Sequence, residues 1–167
     1  IMLRAAIDHL SSNGIALMGG HSLIDQEDLS LGFCVTGEVS QNKEVQIVKE
    51  GDPILLTKRL GTSIATGFWK SDDLYAAHFQ DVLGGMKQSN ALAAEGLSHF
   101  GINASTDVTG YGFLGHLINL MKRWGCSALI DTTKVPTYDS ISDVRHIEIP
   151  QSRQIYSNNE YAEPYVD

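Results

Sequence analysis

The residues best placed to do chemistry lie between Ser105 and His116, in the sequence Ser-Thr-Asp-Val-Thr-Gly-Tyr-Gly-Phe-Leu-Gly-His. One carboxylate, Asp107, precedes three glycines, Gly110, Gly112 and Gly115. Carboxylate oxygens are ligands that Mg²⁺ prefers, and glycines allow backbone N–H groups to approach a phosphate closely. This stretch therefore suits a phosphate ligand and the Mg²⁺ that accompanies it, with Asp107 as the candidate metal ligand.

The same residues also have a purely structural interpretation. A glycine-rich turn before a helix is often only a tight connection, and an acidic residue ahead of a helix is often its N-cap. The spacing is less specific than a Rossmann or P-loop fingerprint. From spacing alone, both a ligand site and a cap at Asp107 stay open.

A second group, Gly19-Gly20-His21-Ser22, follows the apolar run 15–18. Glycine pairs at a strand end often mark a bulge or a turn, and here they leave the backbone bare beside a hydroxyl and an imidazole. A metal-ligand role for His21 is disfavoured because no second His or Cys lies at ligand spacing. The segment is open to either a turn or a ligand contact.

Three further polar groups each have two interpretations. The basic pair Lys58-Arg59 could meet a phosphate or lie in solvent, and the acidic run Asp25–Asp28 could bind a metal or form a solvated turn. Asp72-Asp73 fits an exposed helix start better than a metal site.

Hydrophobic periodicity predicts the elements that must position these residues. Helices are expected over 2–12, ended by a left-handed C-cap at Asn13-Gly14, over 61–69 with Thr62 or Ser63 as N-cap, over 74–100 with a flexible joint at Gly84-Gly85, and from Phe113 to Trp124. Strands are expected over 15–18, 31–39, 54–57, 103–108 and 126–130, with an edge strand at 147–150. No core element is expected in the polar and aromatic segment 157–167.

Composition limits the class of protein and of partner. The chain has 167 residues, 43% hydrophobic and 19% charged, which is a globular composition for one domain or parts of two. The net charge of −8 argues against nucleic acid and anionic membranes as partners. It does not argue against a nucleotide, because a local cation or glycine loop offsets the overall field.

Cysteine usage and hydropathy predict a cytoplasmic location. Cys34 and Cys126 lie far apart, outside any CxxC pattern, so a disulfide framework or zinc site is not expected. Each lies in an apolar run and is expected to be a core residue. No signal peptide and no apolar run long enough to span a bilayer is evident in the sequence.

The segment from Thr106 to His116 resembles the signature of the selenophosphate synthetases, also called selenide, water dikinases. The resemblance covers most of residues 1–135 in the order of the family. It extends to four further groups: Gly19–Ser22, Leu55–Lys58, Leu60–Thr62, and Met86 with Asn90.

The resemblance implies an α/β fold of the α+β type, within the superfamily of aminoimidazole ribonucleotide synthetase. A mixed or antiparallel sheet would have helices packed on one face. The turn residues Gly51-Asp52-Pro53 place the domain boundary, so that residues 1–50 would end the N-terminal ATP-binding half and residues 51–167 would form an incomplete C-terminal α/β domain. The family pairs its N-terminal halves in a shared β-barrel, which implies a homodimer of the full-length protein.

The resemblance also implies an ATP- and Mg²⁺-dependent phosphorylation of selenide, in which selenide, ATP and water give selenophosphate, AMP and phosphate. Asp107 would be a Mg²⁺ ligand, and Gly19, Gly20, His21 and Ser22 would contact ATP. No catalytic residue is assigned, because neither cysteine lies in a motif that matches the family's catalytic Cys or selenocysteine with its neighbouring Lys. We therefore expect the chain alone to be catalytically inactive.

Two other functions remain as alternatives. One is another ATP-using member of the superfamily, such as a purine-synthesis enzyme; residues 109–112 with Gly115-His116 favour a selenophosphate synthetase over this. The other is a non-catalytic paralogue or interaction domain that keeps the fold. The unmatched catalytic nucleophile fits this alternative as well.

Overall fold

The computed structural model describes residues 2–22, 30–38, 47–72, 75, 77–144, 146–147 and 153–166. The chain divides into two compact units, Ile1–Lys43 and Glu44–Asp167. The domain boundary predicted after residue 50 stays a prediction. The acidic run Asp25–Asp28 lies outside the described residues.

The first unit begins with helix α1 (Met2–Ser12), as the periodicity predicts. Gly14 has φ 69 and ends the helix in the left-handed conformation that glycine adopts readily. Residues 15–22 and 30–38 have no regular secondary structure. The expectation that Cys34 is a core residue is wrong, since its side chain is exposed.

Helices make up the regular structure in the described part of the second unit. They are α2 (Thr62–Ser71), α3 (Gln80–Lys87), α4 (Ala91–Ser98), α5 (Gly112–Trp124), α6 (Asp139–Val144) and α7 (Arg153–Ala162). Short 3-10 helices lie at Thr132–Lys134 and Glu163–Tyr165. The predictions of α2 and α5 are confirmed in existence and approximate bounds.

The predicted sheet is not confirmed: within the described ranges no strand is formed. Residues 54–57, 103–108 and 126–130 have no regular secondary structure. One isolated parallel bridge joins Leu60 to Thr137, with the Leu60 N–H donating to the Pro136 carbonyl at 2.8 Å. The segments predicted as strands are exposed or half-buried, so water can satisfy backbone groups that no ladder pairs.

The main core lies where α2, α3 and α6 meet. Its largest fully buried side chains are Phe68, Phe79 and Val82. Tyr138 and Ile141 close the core from the segment that begins α6. Burial of this apolar surface holds the three helices together.

The start of α2 differs from the sequence prediction. The N-cap is Gly61, with φ 126 and no side-chain cap, so the prediction of Thr62 or Ser63 is wrong. A Cβ atom at position 61 would lie 2.5 Å from Ile141 Cγ1. Both the backbone conformation and the contact with α6 therefore require glycine here.

The long helix predicted over 74–100 is two helices, and its predicted joint is wrong. Gly84 and Gly85 lie inside α3, and the helical run is interrupted at 88–90, between α3 and α4. A Cβ atom at position 85 would lie 1.8 Å from the Tyr138 hydroxyl oxygen, whereas one at position 84 would meet nothing within 4 Å. Gly85 is therefore a packing glycine that lets Tyr138 lie against α3.

The C-terminal segment contains a core element that the sequence prediction missed. Helix α7 packs against α5, with Leu117 and Ala162 buried. Gly115 lies close to this contact, since a Cβ atom there would be 2.9 Å from Tyr111 Cβ and 3.8 Å from Tyr161 Cδ1. Helix α7 therefore fixes the position of α5, the helix that the glycine-rich turn introduces.

Candidate functional site

The glycine-rich segment forms a turn that leads into α5. The Gly112 N–H donates to the Thr109 carbonyl at 2.9 Å, and Gly112 has φ 69 in the left-handed region that favours glycine. The N-cap of α5 is Tyr111, and no side chain caps the helix. The alternative in which Asp107 caps this helix is therefore wrong.

The side chain of Asp107 is open to solvent, with 71% of its surface exposed. Its Oδ1 oxygen lies 3.3 Å from His116 Nδ1 and accepts a hydrogen bond of 3.4 Å from the Thr106 hydroxyl. Its Oδ2 oxygen makes no hydrogen bond to any residue that the structure describes. One carboxylate oxygen is thus held in place while the other can meet a ligand.

His116 connects the two ends of the turn. Its side chain is only 12% exposed. The Thr109 backbone N–H donates to His116 Nε2 at 3.1 Å, so Nε2 must carry a lone pair. In the neutral imidazole the proton then lies on Nδ1, the nitrogen that lies 3.3 Å from Asp107 Oδ1.

The order Thr109, His116, Asp107 has the outline of a nucleophile–base–carboxylate triad. The Thr109 hydroxyl oxygen lies 3.1 Å from His116 Nε2. A general base needs a lone pair for the proton of the nucleophile, and the Thr109 backbone N–H already occupies it here. The arrangement therefore holds the turn rather than activating the hydroxyl.

Helix α7 supports the turn from the opposite side. Asn158 Nδ2 donates to the Gly110 carbonyl at 2.9 Å, and the Tyr161 hydroxyl donates to Asn119 Oδ1 at 2.7 Å. Lys122 Nζ lies 3.8 Å from the ring centroid of Tyr165. Hydrogen bonds to the tyrosine hydroxyls, that of Tyr165 first, raise the pKa of Lys122.

The segment before Asp107 is tied to the start of the second unit. Asn103 Nδ2 donates to Asp52 Oδ2 at 2.6 Å, and the Lys49 N–H donates to the same oxygen at 2.8 Å. The hydrogen bond from Asn103, followed by that from Lys49, lowers the pKa of Asp52. The ionised carboxylate therefore anchors the chain four residues ahead of Asp107.

The second predicted group lies in the first unit. Gly19, Gly20, His21 and Ser22 are all exposed, in a segment without regular secondary structure. A Cβ atom at Gly19 or Gly20 would meet nothing within 4 Å, so the backbone is accessible on this side. Asp107 belongs to the other unit.

The basic pair lines an open cleft of about 450 Å³ in the second unit. Both side chains have protein acceptors. Lys58 Nζ donates to the Gln88 carbonyl, and Arg59 Nη1 donates to Asp139 Oδ1 at 2.6 Å and to the Thr137 carbonyl at 3.2 Å. These contacts favour a structural role over phosphate binding.

The donor set of the site fits Mg²⁺ held jointly with a nucleotide. Among the described residues, no group of three or more His, Cys, Asp or Glu side chains is arranged to hold a metal. Mg²⁺ keeps several waters and commonly takes one or two protein carboxylates together with substrate phosphates. A single exposed carboxylate such as Asp107 suits that kind of ligation, and it does not suit a structural zinc site.

Sequence reasoning identified Asp107 but gave no role to the residues that hold it. His116 and Thr109 lie inside the glycine-rich segment. The available signal was a histidine in the first turns of a helix, because one of its ring nitrogens can accept a hydrogen bond while the other carries a proton. Asn158 lies 48 residues from Gly110, and no local pattern indicates that pairing. In the parts of the chain described here, no helix is long and apolar enough to cross a membrane.

Comparisons with known proteins test the resemblance to the selenide, water dikinases. Selenide, water dikinase of Pelobacter propionicus is 30% identical over 168 residues, covering 99% of this chain and 48% of the relative. The protein of the same name from Treponema denticola is 33% identical over 162 residues, covering 96% and 45%, and that from Myxococcus xanthus is 39% identical over 127 residues, covering 74% and 36%. The predicted resemblance to the selenide, water dikinases is confirmed.

These matches cover only part of the length of the relatives. The chain spans about half the length of the curated relatives it matches. No solved structure matches. The family model described as AIR synthase related protein, C-terminal domain, matches residues 49–160, and the chain therefore belongs to the family of AIR synthase related proteins.

Proposed function

We propose that the protein carrying this chain is a selenide, water dikinase, which uses ATP to phosphorylate selenide to selenophosphate. The observation that carries the proposal is the similarity to several proteins of that name, over as much as 99% of this chain. The open carboxylate of Asp107 on a glycine-rich turn supports it, because phosphoryl transfer from ATP needs a cation ligand of this kind.

In this proposal Asp107 supplies a protein oxygen to Mg²⁺ through Oδ2, while Oδ1 stays beside His116 Nδ1. The bound cation neutralises charge on the triphosphate. Gly19, Gly20, His21 and Ser22 contact ATP through their exposed backbone and side chains. No catalytic residue of this chain is assigned, and the attacking group is selenide itself.

The finer structural predictions belong to the same proposal. We infer a mixed or antiparallel sheet with helices on one face, with residues 1–50 ending an N-terminal ATP-binding half and residues 51–167 forming a C-terminal α/β domain. The full-length protein would be a cytoplasmic homodimer that takes no nucleic acid or membrane partner. The net charge of −8 supports the last point.

The direct test of the activity is product formation by the full-length protein. ATP, Mg²⁺ and selenide are supplied without oxygen, and ³¹P NMR follows selenophosphate, AMP and phosphate. We expect all three products in equal amounts, only when selenide is present. Asp107→Asn should lower the rate at subsaturating Mg²⁺ by at least about tenfold, because one cation ligand is weakened.

Two controls separate the alternatives. Selenide-independent ATP turnover would favour another ATP-using enzyme of the superfamily. A folded full-length protein that binds ATP but releases no product would favour a non-catalytic paralogue. The 167-residue chain by itself is expected to be inactive, and selenide-dependent turnover by that chain would contradict this expectation.

A further inference from the structure

We propose that His116 is a positioning residue that orients the Asp107 carboxylate toward the cation. The proposal rests on the proposed function, since it assigns a role toward the Mg²⁺ that Asp107 would bind. His116 itself does not touch the cation in this account. It acts through the close approach of Nδ1 to Asp107 and through the hydrogen bond that Nε2 accepts from Thr109.

The first observation is the direction of the hydrogen bond from Thr109 and the position of Nδ1 beside Asp107. The Thr109 backbone N–H donates to Nε2 at 3.1 Å, which leaves Nδ1 as the protonated nitrogen of the neutral ring. Nδ1 lies 3.3 Å from Asp107 Oδ1. The backbone therefore selects the tautomer that can donate to the carboxylate.

The second observation is the contrast in burial between the two partners. The His116 side chain is 12% exposed, whereas that of Asp107 is 71% exposed. The imidazole also makes an edge contact with the Tyr111 ring, with centroids 5.9 Å apart. A mostly buried ring on α5 thus lies against a solvent-exposed carboxylate on the preceding segment.

The third observation is that the restraint uses only one carboxylate oxygen. Oδ1 lies beside the imidazole and accepts a hydrogen bond from the Thr106 hydroxyl, and Oδ2 has no hydrogen bond to the described residues. A group that restrains a metal-binding side chain limits its orientations before the metal binds, so less freedom is lost on binding. Removal of such a group typically lowers metal affinity about 10- to 100-fold.

Paired substitutions separate carboxylate positioning from simple support of the turn. In His116→Asn, the side-chain amide N–H can replace Nδ1–H toward Asp107, but it cannot reach Thr109. In His116→Gln, the longer amide can accept from the Thr109 N–H as Nε2 does, but no N–H remains at the position of Nδ1 beside Asp107. His116→Leu removes both bonds.

The experiment measures Mn²⁺ binding to the full-length protein by electron paramagnetic resonance, with a non-hydrolysable ATP analogue present. We expect His116→Gln and His116→Leu to weaken Mn²⁺ binding about tenfold, and His116→Asn to stay within about threefold of wild type. Asp107→Asn should weaken binding at least as much. Thermal unfolding of each variant checks that the protein remains folded.

Three results would overturn the proposal. If Asp107→Asn weakens Mn²⁺ binding and His116→Gln and His116→Leu do not, positioning is wrong while the metal-ligand assignment stands. If His116→Gln preserves binding better than His116→Asn, the imidazole acts only on the turn. If Asp107→Asn has no effect, the metal site and the positioning role both fail.

The tautomer gives a readout that needs neither metal nor activity. Long-range ¹H–¹⁵N correlation spectra of the wild-type protein distinguish a protonated Nδ1 from a protonated Nε2. The proposal requires the neutral His116 ring to carry its proton on Nδ1. A ring with its proton on Nε2 would overturn the hydrogen-bond direction on which the proposal depends.

Discussion

Two carboxylates of the second unit illustrate opposite uses of the same group. Asp107 has one oxygen without a described hydrogen bond, whereas both oxygens of Asp81 are engaged. Asp81 Oδ1 accepts from the Ser140 hydroxyl and from the Val82 N–H, and Oδ2 accepts from the Ser140 N–H at 3.2 Å. Asp81 thereby joins α3 to α6, while Asp107 stays open for a ligand.

The pKa of Asp81 predicts an acid-sensitive link. Loss of hydration alone would raise this pKa, but the hydrogen bonds from Ser140 and Val82 outweigh it and lower the pKa from 3.8. A carboxyl whose pKa is lower in the folded state stabilises the fold above the unfolded-state pKa. That stabilisation is lost as the pH falls through the folded-state value.

We therefore expect Asp81→Asn to lower the free energy of unfolding at pH 7 by about 1 kcal/mol. The loss is modest because the residue is exposed and water screens its charge. The difference from wild type should shrink as the pH is lowered below 3.8. Urea unfolding at several pH values measures this. Asp143→Asn, on the exposed face of α6, is the matched control, and an equal loss there would refute the assignment.

At the scale of elements, adjacent glycines in α3 have different reasons to be glycine. Gly85 lies against the buried ring of Tyr138, and Gly84 faces open space. The hydroxyl and the two nearest ring carbons of Tyr138 all lie within 2.8 Å of a Cβ built at position 85. The ring is rigid and belongs to the main core, so it cannot move aside cheaply.

Alanine at the two positions should change stability in opposite directions. Gly84→Ala should stabilise the protein by as much as about 1 kcal/mol, since alanine is the better helix former and meets no neighbour. Gly85→Ala should destabilise it by about 1–3 kcal/mol, because the added methyl group overpacks the contact with Tyr138. Chemical denaturation of the two variants side by side measures both effects. Equal effects would show that α3 does not pack on Tyr138 in this way.

Local patterns allowed several elements to be predicted. Helices α1, α2 and α5 have apolar residues at helical spacing, and that signal lies within each segment. Helix α7 was missed because its sequence is polar and aromatic, and its packing depends on α5, some thirty residues earlier. The sheet is not confirmed because strand formation requires partners that no single segment specifies.

The candidate site shows the same difference between signals within a segment and contacts with distant residues. Asp107 could be identified from its residue type and the glycines that follow. The role of His116 depends on the direction of a backbone N–H, and that of Asn158 depends on a contact 48 residues away. Residue types thus pointed to the candidate ligand, while the groups around it are set by tertiary structure.

At the scale of the whole molecule, two units carry the two predicted groups. Gly19 to Ser22 belong to the unit Ile1–Lys43, and Asp107 belongs to the unit Glu44–Asp167. The proposed function assigns ATP contacts to the first group and Mg²⁺ binding to Asp107. The central claim is therefore a coupling between nucleotide and Mg²⁺ that depends on Asp107.

The measurement that tests this claim most directly is calorimetric titration of the full-length protein with a non-hydrolysable ATP analogue, with Mg²⁺ and with a chelator. The wild-type protein should bind the analogue at least about tenfold more tightly with Mg²⁺, and Asp107→Ala should lose most of that difference while unfolding at the same temperature. An unchanged dependence on Mg²⁺ in Asp107→Ala would contradict the account.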